Sequence, residues 1–113
     1  MIQNRTRRPR KSHARFRLGQ PIQHKLFNYR GVVVDVDPSY QGTADWYDQM
    51  ARSNPPKDAP WYHVLVDGAE HWGYVAERNL QADLTGEPID HPDIDDIFRD
   101  FTNGTYSRRE SLN

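Results

Sequence analysis

Apolar positions first organise at Phe16 and Leu18. Before them, in MIQNRTRRPRKSHA, Ile2 is the one sizeable aliphatic residue after Met1, so residues 1–15 are expected to form a disordered arm. After a turn signal at Gly19-Gln20-Pro21, Ile22, His24 and Leu26 share one parity and Gln23 and Lys25 the other, which predicts a half-buried strand. Asn28-Tyr29-Arg30-Gly31 reads as a bend. Val32-Val33-Val34-Asp35-Val36-Asp37 is a β-branched run suited to a central strand, and Pro38 stops it. Residues 39–60 form a long connection rich in proline, enclosing a short helix from about Ala44 to Arg52 whose weak apolar stripe is Trp46, Tyr47 and Met50. Trp61–Val66 is the next strand, Asp67-Gly68 its turn, and His71–Ala76 the returning arm of a hairpin. Glu77–Leu84 predicts a short helical turn. Beyond Pro92, the residues Ile94, Ile97, Phe98 and Phe101 fall at i, i+3, i+4 and i+7, with Asp93, Asp95 and Asp96 at the positive end of the dipole. That is the pattern of an amphipathic helix, stopped by Asn103-Gly104. Residues 104–113 read as a polar tail.

Length changes the picture little: 113 residues and 13.3 kDa make one small domain. No window approaches the roughly 20 apolar residues of a spanning helix, and no apolar stretch follows the N-terminal arginines, so neither membrane insertion nor secretion is expected. The absence of Cys removes disulfides, thiolate metal sites and a cysteine nucleophile, and fits a cytoplasmic location. Charge is more informative. The net value of −1 hides seven Lys and Arg with no acid in residues 1–17, against eight bases and sixteen acids in the remainder. A basic arm on an acidic body can reach phosphate or fold back on its own body.

The five histidines, at 13, 24, 63, 71 and 91, contain no pair spaced i, i+3 or i, i+4, so no metal site and no cofactor are expected. Asp35, Asp37 and Asp67 lie near strand ends, where capping and turn roles are the ordinary ones. With no nucleophile elbow and no glycine-rich phosphate loop, an enzyme is not expected. Among the aromatics, Trp61, Tyr62 and Tyr74 are assigned to packing, and Tyr40, Trp46, Tyr47 and Trp72 to base or partner contact. Arg5, Arg7, Arg8, Arg10, Lys11 and Arg15 are the candidate phosphate contacts.

The strings FRLGQPIQHKLFNYRGVVVDVDP, PWYHVLVDG and YVAERNL, in that order and with an irregular connection between Pro38 and Pro60, resemble the HspQ/YccV-like family of hemimethylated-DNA-binding heat-shock proteins. The matching residues include His24, Arg30, Gly31, Asp35, Asp37, Pro38, Trp61, Tyr62, His63 and Tyr74. The resemblance runs from about Phe16 to Leu80, and the ending HPDIDDIFRDFTNGTY is similar to one branch of the family. It implies a compact β-barrel-like fold, no catalytic residue, and self-association, as a trimer. It also implies binding to hemimethylated DNA near the replication origin, and promoted degradation of denatured or regulatory proteins, the replication initiator among them, by an ATP-dependent protease. Pattern and resemblance together give a mainly β protein: a small SH3-like or open β-barrel of about five antiparallel strands over residues 16–103, with a short loop helix and a C-terminal helix.

Two functions follow. In the first the protein is a DNA-binding regulator, the arm neutralising phosphates while an apolar or amide side chain from about 39–47 reads the methylated site, because phosphate contacts carry no base information. In the second it is a protease adaptor without physiological DNA binding, with clients on exposed strand edges, the 39–60 connection or the exposed aromatics.

Overall fold

The β-branched run becomes the central strand of a five-stranded sheet. In the computed structural model, which describes residues 13–109, β1 is Pro21–His24, β2 Arg30–Asp37, β3 Trp61–Val66, β4 Trp72–Ala76 and β5 Leu80–Ala82. Neighbouring strands are antiparallel, in the order β4-β3-β2-β1-β5. A single 3₁₀ turn, Glu77–Asn79, joins β4 to β5, yet these strands lie at opposite edges. In a flat sheet those edges would stand about 19 Å apart, whereas the step from Ala76 to Leu80 spans at most about 14 Å. The sheet therefore curls on itself, giving the mainly β fold that the pattern predicted and the barrel-like form that the resemblance implied.

The curl creates two apolar faces. Alternate residues of β3 separate them: Tyr62, Val64 and Val66 point inward to Phe16, Ile22, Val33, Val75 and Leu80, while Trp61, His63 and Leu65 point outward. Burial on both faces is the reason β2 reads as an unbroken Val-Val-Val. Val33 belongs to the inner core and Val32 and Val34 to the outer one, with a bulge between Val33 and Asp35.

Two covers lie on the outer face. One is the 39–60 connection carrying α1, Ala44–Met50, capped by Thr43 Oγ1, which accepts from Trp46 N–H at 3.0 Å. It closes over Trp61, which is 1% exposed and donates from Nε1 to the Pro56 carbonyl. The other cover corrects the C-terminal reading. The helix there, α2, is only Ile94–Ile97, and Phe98–Thr102 is a strand, β6, paired with β7, Thr105–Arg108. Asn103 and Gly104 are not a helix stop but the two left-handed residues of a hairpin turn, at φ 54° and 78°. A bulge between Phe98 and Asp100 inserts one residue, so two side chains on one face of the strand stand three apart and imitate a helical period. Residues read as polar tail thus include β7, whose Tyr106 is buried with Val32, Val34, Leu65, Ile89 and Phe98.

Two smaller readings also change. Helical structure after β4 stops at Asn79, and Leu80, fully buried, already pairs opposite His24. The first strand ends at His24, leaving Leu26 on an exposed turn.

Candidate functional site

Most residues of the matching motif build the scaffold. Arg30 Nε and Nη2 both reach Asp83 Oδ2, at 3.1 and 2.9 Å, and the guanidinium also touches Asp67 and the Glu87 and Pro88 carbonyls. Its hydrogen bond to Asp83 raises its pKa. Burial pushes the Asp83 carboxyl up, but the bonds from Arg30 and Thr85 outweigh it and hold it below its usual value. Arg30 is therefore a clamp on the 83–90 loop. Gly31 admits no side chain, because a Cβ there would stand 2.6 Å from the Leu65 carbonyl oxygen. His24 accepts at Nδ1 from the Leu26 and Phe27 N–H groups, both at 3.1 Å, and so shapes the turn after β1. Asp35 Oδ1 accepts from the following N–H of Val36, and Asp67 Oδ1 accepts from Asp90 N–H. Pro38 is exposed at the end of β2.

The remaining motif residues meet where the two outer covers leave β2, β3 and β4 uncovered. Asp37, His63 and Tyr74 lie on adjacent strands, and register brings His63 opposite Tyr74. Both reach one carboxylate oxygen: His63 Nε2 stands 3.1 Å from Asp37 Oδ2, and Tyr74 OH donates to it at 2.7 Å. Burial, reinforced by that bond, raises the pKa of Tyr74, so the phenol stays a neutral donor at physiological pH. Its oxygen in turn accepts from Gln41 N–H at 3.0 Å, tying the 39–60 connection to the sheet. These groups form the floor of an open cleft of about 440 Å³, walled by Trp46 of α1 on one side and Trp72 on the other. Trp72 is half exposed but held in place by donation from Nε1 to Asp93 Oδ2 at 2.9 Å, at the start of α2.

The aromatics divide differently from the sequence assignment. Trp61 and Tyr62 are buried as expected. Tyr74 is half-buried on the outer face, stacked into a cluster with Tyr40, Trp46 and Trp61 at centroid distances of 5.9, 5.8 and 5.2 Å. Tyr40 and Tyr47 are anchored in that cluster through OH bonds to the Thr43 and Pro55 carbonyls. Trp46 and Trp72 remain as walls.

Of the candidate phosphate contacts, Arg5, Arg7, Arg8, Arg10 and Lys11 lie outside the described residues. Arg15 is exposed, but its backbone N–H donates to Glu77 Oε2 at 2.8 Å, which fastens the chain to the barrel there. Among the described residues no three His, Asp or Glu side chains converge as a metal site; His24 and His63 take different partners.

Sequence reasoning missed a second surface. Leu26, Phe27 and Met50 are 58%, 72% and 60% exposed and line one groove between the β1–β2 turn and α1, about 550 Å³ in volume. Its signal was the adjacent pair Leu26-Phe27, which a strand of period two cannot bury on one face.

A family model described as "Hemimethylated DNA-binding protein YccV like" matches residues 14–105. The chain belongs to the YccV-like family. The YccV-like match takes in the cleft, the 39–60 cover and the C-terminal cover as far as the first residue of β7. It starts beyond Arg5, Arg7, Arg8, Arg10 and Lys11, so most of the concentrated positive charge lies outside the YccV-like domain.

Proposed function

We propose that this protein is a regulator without catalytic activity of its own that binds hemimethylated duplex DNA. In this reading it acts in the cytoplasm under stress, near the replication origin, and favours degradation of denatured or regulatory proteins such as the replication initiator by an ATP-dependent protease. The observation that carries the reading is the YccV-like match over residues 14–105. Division of labour between an arm rich in phosphate-seeking charge and a barrel loop supports it. Gln41, exposed at the lip of the cleft with its Nε2 donating to the Ser39 carbonyl and hydroxyl, is an amide side chain whose Oε1 this loop offers to a base edge.

The test is binding to matched unmethylated, hemimethylated and fully methylated duplexes at two salt concentrations, with a chain lacking residues 2–12 alongside. The cut stops short of Arg15 because that N–H is bonded to Glu77. A preference for the hemimethylated duplex that outlasts added salt is the expected result. Equal affinity for all three duplexes, lost together with the arm, would reject the methylation-reading role.

A second reading, a protease adaptor with no physiological DNA binding, is favoured by the exposed Leu26, Phe27 and Met50 on one groove, since contiguous apolar surface of this kind marks protein contacts. Self-association into a trimer would use the same kind of surface. Leu26→Ser with Phe27→Ser separates these roles: the adaptor reading expects loss of stimulated proteolysis with DNA binding intact, and sedimentation reports the oligomer.

A further inference from the structure

We propose that the cleft between Trp46 and Trp72 is a receptor for an arginine side chain presented by a partner protein. Its lining contains a carboxylate, Asp37, and no lysine or arginine, which disfavours phosphate and matches a cation. Trp46, Trp72 and Tyr74 line it, and a cation over an indole or phenol ring is held by the ring quadrupole. The cluster already holds one such cation on its far side, where Lys57 Nζ lies 4.2 Å from the Tyr47 ring centroid.

The geometry favours guanidinium over ammonium. Asp37 Oδ2 is engaged by His63 and Tyr74, which orient the carboxylate, while Oδ1 accepts no hydrogen bond among the described residues. A planar guanidinium can pair with that oxygen and stack on an indole at the same time, whereas an ammonium is a compact, strongly hydrated charge. The walls are pre-positioned: the Trp46 ring packs against Tyr40, Trp61 and Tyr74 and Trp72 is held by its bond to Asp93, so little side-chain freedom is lost on binding. The cleft is bordered by Gln41, the residue that the DNA reading turns to a base edge, but the arginine assignment does not rest on that reading.

The experiment titrates the full chain with the tripeptide acetyl-Gly-Arg-Gly-amide and its citrulline isostere, which has the same shape and no charge, following the three indole N–H resonances. Trp61, buried and bonded to the Pro56 carbonyl, is the internal control. The arginine peptide is expected to shift Trp46 and Trp72 saturably and Trp61 much less, with citrulline at least about 10-fold weaker. Asp37→Asn is expected to weaken arginine binding about 10-fold, and Trp46→Leu about 5-fold, each in a protein whose amide dispersion shows it folded. Equal binding of citrulline, or an unchanged affinity in Asp37→Asn, overturns the assignment. So does tighter saturation of the same resonances by N6-methyladenosine, which would make the cleft a base pocket. Stronger arginine binding by the chain lacking residues 2–12 would name the protein's own arm as the occupant and overturn a partner in trans.

Discussion

Tyr62 joins three segments through one hydroxyl. It accepts from Phe16 N–H at 3.2 Å and donates to Glu77 Oε2 at 2.6 Å, and the same carboxylate oxygen takes Arg15 N–H. Tyr62→Phe keeps the ring but strands a buried N–H, so a loss of about 1–3 kcal/mol is expected, read as a lower urea midpoint with unchanged m-value. That Tyr62 is a core residue was legible from the shortness of the domain, which must bury most of its large aromatics. Its hydrogen bonds were not, because their partners lie 46 and 15 residues away. His24 makes a pH prediction. Burial holds its pKa below the ordinary 6.5, and its Nδ1 must be unprotonated to accept the Leu26 and Phe27 N–H groups. The unfolded chain therefore binds the proton more readily than the folded one, and this contribution to stability is complete above pH 6.5 and shrinks as pH falls below it. Urea midpoints between pH 7.5 and 5 should fall in the parent and fall less steeply in His24→Gln; an identical slope would remove His24 from the account.

At the scale of elements, the C-terminal hairpin is part of the fold and not an appendage. Tyr106 packs at a tilt against Phe98 and Phe101, with ring centroids 5.1 and 4.5 Å away, accepts from Ile89 N–H at its hydroxyl, and donates its backbone N–H to the Gly19 carbonyl. Tyr106→Ala is expected to destabilise the protein by about 3–5 kcal/mol, the usual cost of deleting a buried ring. A thermal midpoint unmoved by that change would mean the hairpin does not cover the sheet in solution. The misreading of this segment has a local cause. Ile94, Ile97, Phe98 and Phe101 satisfy a helical period only because a four-residue helix runs into a bulged strand. Asn-Gly ends a helix and turns a hairpin with equal ease, since both need left-handed backbone, and only a partner strand decides between them. The Trp61–Ala76 hairpin was legible because its alternation and its Asp-Gly turn agree. Helix α1 was legible from its weak stripe of Trp46, Tyr47 and Met50 and the prolines that follow it; its Thr43 cap was seen only in the structure.

The whole molecule separates charge from shape. Five bases lie in residues 2–12, while the described body carries an excess of acids. If the arm supplies the phosphate contacts, its removal should flatten the dependence of log affinity on log salt by up to about 4.5, at about 0.9 per phosphate. An unchanged slope would place those contacts on the barrel. Tertiary structure decides where the open cleft lies: the connection over Trp61 and the hairpin over Leu65 leave His63, between them on the same strand, partly uncovered. What the sequence determined by itself was local: strand identity from β-branched and aromatic runs, turn positions from Gly, Pro and Asn, and the asymmetry of charge, all set by steric and solvation preferences within a few residues. The meeting of Asp37, His63, Tyr74, Trp46 and Trp72 was settled only by the fold. Strand register, the curl forced by a three-residue link between opposite edges, and the seating of two covers all depend on contacts between residues far apart in the chain, for which no short stretch of sequence carries a signal.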